Sequence, residues 1–133
     1  MVATDCGGKN ISPELHWSDA PANAKSLALI VHDPDAPRAG GFDHWVVYDI
    51  PATASRLDAG QQLSAHQTGT NDTGSTGYYG PCPPSGKPHH YVFTVYALDV
   101  MLRPAAPLDA NQLQEKMKGH VLAHATLTGI YER

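Results

Sequence analysis

The sequence predicts a mostly β protein, and three observations carry that prediction. Three separate runs are rich in β-branched and aromatic residues. The segments between them are crowded with turn formers, 11 prolines and 12 glycines in 133 residues. Only one stretch has the period and the punctuation of a helix. A chain of this length fits one domain with one core, so residues 1–133 are read as a single domain.

The first run, residues 26–32 (SLALIVH), is apolar and stops at Asp33-Pro34, because proline disfavours helix before it and ends a strand. The second, residues 44–50 (HWVVYDI), is closed by Pro51. The loop between them holds two prolines and the pair Gly40-Gly41. This pattern predicts adjacent antiparallel strands joined by a long functional loop, with Asp33 and His44 opposite each other at one end of the sheet. The third run, residues 89–99 (HHYVFTVYALD), is apolar or aromatic on both faces, which predicts a central strand. Residues 67–80 (QTGTNDTGSTGYYG) and 81–88 (PCPPSGKP) are too rich in glycine and proline for regular structure. Asp109 with Gln112 forms a capping-box pattern. Leu113 and Met117 then share a helical face, and Gly119 ends the helix. Residues 122–131 read as a last strand.

Charge and hydropathy exclude several function classes. The net charge is −4 with no Lys/Arg stripe, which argues against nucleic acid. The best apolar run is far too short for a membrane span. No basic n-region or apolar h-region opens the sequence, so the expected compartment is cytoplasmic. Cys6 and Cys82 read by default as free thiols. The alternative is a bridge between them, worth about 4 kcal/mol for so long a loop. A zinc site combining Cys82 with His89 or His90 has poor spacing, and neither metal nor cofactor is expected.

Two units concentrate chemistry. Asp33 and His44 flank one loop. His89 and Tyr91, on one strand face because they are two apart, follow the proline-rich loop. Meeting, they would bring together a carboxylate, two imidazoles and a phenol, a set able to hydrogen-bond phosphate or carboxylate. Each also has a structural reading: Asp33 as a turn former, His44 as a strand-end histidine, His89 and His90 as surface residues, Tyr91 as a core aromatic. Tyr78 and Tyr79 before Gly80 either wall a pocket or pack the loop, and packing is the favoured reading. His16, His66, His120 and His124 read as structural or solvated.

The stretches DPDAP (33–37) with FDHWVV (42–47), GPCPPSGKPHHYVFTVYALD (80–99) and GGKNISPELHW (7–17), in this order, resemble the motifs of the phosphatidylethanolamine-binding protein family, in its bacterial and archaeal Raf-kinase-inhibitor-like branch. The resemblance runs from about residue 5 to the end. It implies a β-sandwich-like fold with a large antiparallel sheet and a pocket at one end for phosphate, phosphoethanolamine or a similar anion. By position within the motifs, Asp33, His44, His89 and Tyr91 match the pocket residues. Pro84 matches a lining proline, and Phe42 stands where many relatives carry Trp. Asp35 matches an aspartate expected to buttress the loop, Cys82 lies in the second pocket loop, and His90 falls where relatives usually carry Arg. Relatives usually have an additional N-terminal strand, and eukaryotic members a C-terminal helix near the pocket. Without that helix, a more open mouth is expected.

The resemblance thus points to a small-anion-binding protein, with a kinase or serine protease as a potential regulatory partner, and to a homodimer. An enzyme using Asp33, His44, His89 and Tyr91 for acid–base chemistry is the alternative, although no nucleophile elbow is present. A structural module with a vestigial pocket is the third reading. Oxyanion affinity is expected to fall as pH rises through the ordinary histidine range, about 6.5. Cys6 and Cys82 are expected to lie within bridging distance.

Overall fold

The computed structural model describes residues 14–17, 20–36, 39–61, 63–80 and 89–131, excepting the side chains of His89 and of residues 128–131. The fold is mostly β, as the sequence predicts. The strands are β1 (Leu15–His16), β2 (Ser26–Asp33), β3 (Phe42–Pro51), β4 (Arg56–Leu57), β5 (His89–Leu98) and β6 (Val121–Tyr131), and one helix, α1 (Ala110–Met117), precedes β6. β2, β3, β5 and β6 form an antiparallel sheet in the order β3-β2-β5-β6, so the run that is apolar on both faces is indeed interior. β1 and β4 pair as a second, two-stranded antiparallel sheet. These two short strands are absent from the sequence reading because two residues carry no periodicity.

Side-chain alternation divides the core between the two faces of the large sheet. On the front face Leu27, Leu29, Val31, Trp45, Val47, Tyr91 and Phe93 pack against Leu15 and Leu57 of the small sheet. On the back face Ala28, Ile30, Val46 and Tyr48 pack against Leu113 and Met117 of α1. The helix begins where the sequence says. The Asp109 carboxylate accepts from Gln112 N at 2.8 Å, and Gln112 returns its side-chain oxygen to Asp109 N at 3.0 Å.

Residues 67–80 form no strand, yet they are not a free loop. They run along the outer side of β3 and hydrogen-bond to it through Gly69 N to Val46 O (2.8 Å), Tyr48 N to Gln67 O (3.0 Å) and Tyr79 N to His44 O (2.9 Å). An otherwise open sheet edge is thereby covered. Gly69 permits the close approach: a Cβ there would lie 2.4 Å from the Leu108 carbonyl oxygen and 2.8 Å from Val46.

Candidate functional site

The site begins with an irregularity in β3. Val31 pairs with Trp45 and His32 pairs with Asp43, so His44 has no cross-strand partner of its own and is the extra residue of a β-bulge. In an unbroken strand, His44 and Trp45 would point to opposite faces. The bulge brings His44 to the front face with Trp45 and sends Asp43 to the back with His32. Asp33 is opposite Phe42 rather than opposite His44, a two-residue correction to the expectation from loop length. Asp33 and His44 nevertheless share one end of the sheet and one face.

On that face four rings gather. His44 lies 4.7 Å from Phe42, 5.2 Å edge-on to Tyr91 and 6.0 Å stacked on Tyr79, measured between ring centroids. His44 and Tyr91 are buried, at 5% and 2% exposure, while Phe42 and Tyr79 are half-buried. His44 Nδ1 donates to the Tyr79 carbonyl oxygen at 2.5 Å, and Tyr79 N returns a bond to His44 O. That bond fixes the ring orientation and leaves Nε2 for other partners. Burial pushes the His44 pKa below its ordinary 6.5. The Tyr79 carbonyl and the carboxylates of Asp33, Asp43 and Asp72 oppose this without overcoming it.

Asp33 is buried, and its carboxylate accepts the Asp35 backbone N–H at 2.8 Å, closing the turn that follows β2. The Asp35 carboxylate in turn accepts from His90 N at 2.8 Å and from His90 Nδ1 at 2.7 Å. The loop after β2 is therefore tied to the start of β5 at His90, the residue before Tyr91. His90 is at the surface, about half exposed, and forms one half of this clamp.

The sites read from the sequence thus fall into two groups. Asp33, Phe42, His44 and Tyr91 come together, with Asp35 beside them. His89 heads β5, but its side chain lies outside the described residues, as do Pro84, Cys82 and the Cys6–Cys82 pair. Tyr79, assigned by the sequence to loop packing, belongs to the cluster through both its ring and its carbonyl. The only signal for it was its place immediately before the proline-rich loop. Tyr78 does pack, edge-on to Trp45 at 5.3 Å, and burial raises its hydroxyl pKa.

A four-stranded sheet with a helix behind it, a small sheet in front and a polar–aromatic cluster at one end defines a class of β-sandwich-like proteins. Within that class the chain belongs to the phosphatidylethanolamine-binding protein family, whose sequence profile matches residues 2–132. It is 47% identical to a UPF0098 protein of Methanothermobacter thermautotrophicus, over 96% of this chain and 87% of the relative. Among solved structures it superposes on a putative phosphatidylethanolamine-binding protein homologue, CT736 of Chlamydia trachomatis. There the TM-score is 0.89 and the identity 46%, covering 96% of this chain and 85% of the other. It also superposes on Escherichia coli YbcL, described as a new member of the mammalian family, with a TM-score of 0.87 and 39% identity over 96% and 84% of the two chains. No helix among the described residues is long and apolar enough to cross a membrane.

Proposed function

We propose that the protein binds a small oxyanion, a phosphate or phosphoryl head group, at the Asp33–His44–Tyr91 cluster, and that binding is governed by the protonation of His44. The observation that carries this reading is the Nδ1–H bond from His44 to the Tyr79 carbonyl beneath three aromatic rings. With Nδ1 committed, a neutral imidazole offers a ligand only the Nε2 lone pair, which suits a ligand hydroxyl. A protonated one offers an Nε2–H donor and a positive charge, which suits an oxyanion.

The sign of the pH dependence follows. Burial holds the free-state pKa of His44 below 6.5. A bound anion stabilises the protonated form and raises the pKa in the complex. Affinity is therefore highest below the free-state value and falls as pH rises towards the bound-state value. The threshold lies lower than an unperturbed histidine would place it. Regulation of a kinase or serine protease, through a phosphate or carboxylate presented by that partner, would use the same site.

Calorimetric titration tests the reading. Sulfate is the first probe because its charge is constant over this range, and phosphate and phosphoethanolamine follow. Sulfate affinity is expected to fall from mildly acidic to neutral pH, and to drop by about tenfold or more in His44→Gln, the loss of one charge-assisted bond. Affinity that is flat with pH and unchanged in His44→Gln would refute the proposal. Turnover of phosphoethanolamine esters that disappears in His44→Gln would instead favour an enzyme.

A further inference from the structure

The bulge that brings His44 forward also builds a second constellation behind the sheet. His32 and Asp43 face each other across β2 and β3, with His32 Nδ1 2.6 Å from Asp43 Oδ1. The side chains are 34% and 20% exposed, so the pair is neither sealed in the core nor lost to bulk water. It opens onto a cleft of about 470 Å³, lined also by Thr94 and Tyr96 of β5 and by Asn111 and Gln114 of α1. That volume lies within the roughly 300–1,000 Å³ usual for small-molecule sites. The Gly41 backbone packs close to the far edge of the imidazole, where only glycine fits. A Cβ at this position would stand 2.9 Å from both Cε1 and Nε2 of His32.

We infer that this back-face cleft is a second ligand site, and that it takes a neutral polyhydroxylated small molecule, a sugar ring or cyclic polyol. The chemistry of the lining selects that class. His32 and Asp43 together carry no net positive charge in either protonation state of the imidazole, and no Lys or Arg is among the described residues of the cleft. Among the described residues an anion finds no countercharge there. The carboxamides of Asn111 and Gln114 each present a donor and an acceptor, and the Thr94 and Tyr96 hydroxyls, bonded to each other, add the Tyr96 donor and an acceptor on Thr94. Sugar hydroxyls donate and accept at once, so they match such a mixed set. Asn111 and Gln114 are three apart on α1 and thus share one helix face. With Nδ1–H given to Asp43, the partly exposed His32 ring keeps Nε2 as an acceptor. Burial raises the Tyr96 pKa, opposed by a hydrogen bond from Thr94, so its phenol stays neutral and its ring supplies an apolar wall for a sugar's C–H face.

The test is a protein-observed NMR titration with glucose, galactose, mannose and myo-inositol, each up to tens of millimolar, with sulfate as the anion control. At least one of the four is expected to shift amides of β2, β5 and α1 around the cleft, while sulfate shifts amides around His44. His32→Ala and Asn111→Ala should each weaken the polyol by about tenfold, the loss of a good hydrogen bond. Asn111 is exposed on the helix, so its truncation leaves the fold intact even if His32→Ala does not. His44→Gln should leave polyol binding unchanged while weakening the response to sulfate. Absence of cleft shifts with all four probes, shifts that map to the front face, or affinity unaltered in Asn111→Ala and His32→Ala would overturn the inference.

Discussion

One end of the β2–β3 pair carries two histidines with carboxylates near them, one on each face of the sheet, and the two imidazoles live in different chemistry. His44 is buried among rings and spends its Nδ1–H on a backbone carbonyl. His32 is a third exposed and bonds a carboxylate directly. Burial depresses the pKa of the first, although three carboxylates pull the other way. A histidine's partner in sequence is thus a poor guide to its state: solvent access outweighs the count of nearby acids. The residues also exchange roles across the fold. Asp33 and His44 share the front while His32 and Asp43 share the back, and a single inserted residue makes the difference.

The largest test of the comparison is truncation. His44→Ala removes a buried ring with three aromatic contacts and leaves the Tyr79 carbonyl without its donor. We expect a loss of about 3 kcal/mol, or roughly 10 °C in melting temperature. His32→Ala gives up a partly solvated pair and should cost about 1 kcal/mol or less. Chemical denaturation of the two variants measures both, and equal losses would erase the distinction drawn between the faces.

Acid titration of stability comes next. The folded-state pKa of His44 is lowered, so the unfolded chain binds the proton more readily. The contribution of His44 is then fully present above the unfolded value of about 6.5 and is lost as pH falls below it towards the folded-state value. Melting temperature should decline with acidification from that point in the wild type. In His44→Gln the decline should be shallower, and parallel curves would contradict the burial argument.

The clamp beside the front site is a smaller matter. Asp35→Ala removes the acceptor of His90 N and of His90 Nδ1, yet both side chains are nearly half exposed. Its cost in stability should be about 0.5–1 kcal/mol. The sensitive readout is local: hydrogen exchange at the His90 amide should speed up while that at Val95 does not. Uniform change along β5 would mean that the clamp supports the whole strand rather than its first residues.

The parts legible in the sequence were those decided locally. The interior position of β5 followed from a run apolar on both faces, and the helix start followed from Asp109 and Gln112. Asp33-Pro34 marked where β2 stops. What escaped was decided by pairing. The bulge at His44 is a one-residue register shift that no periodicity within β3 reveals, because it exists only relative to β2. The same shift made Asp43 a partner of His32, two residues that nothing in their spacing connects. Residues 67–80 read as irregular loop, and their attachment to β3 was invisible because those hydrogen bonds run to a partner strand. The part played by the Tyr79 carbonyl was hidden for the same reason, since it appears only when the segment pairs with His44.

The finest test asks how far the two faces feel each other through the strand. Asp33 and Asp43 both raise the His44 pKa, Asp33 more strongly, and both are outweighed by burial. Asp43 lies on the back face and is bonded to His32, so its influence on His44 must act through the sheet rather than by contact. Replacing each carboxylate with its neutral amide keeps the shape and an acceptor oxygen while deleting the charge. Asp33→Asn and Asp43→Asn should therefore both shift the His44 titration, followed by NMR at the ring Cε1–H, to lower pH. The shift should be larger for Asp33→Asn. In Asp43→Asn it should shrink with added salt to the extent that the path between the groups is solvated. A His44 titration unmoved by Asp43→Asn would make the faces electrostatically independent, leaving the bulge as the sole link between them. An upward shift in either variant would mean that the ring is desolvated less than its burial implies.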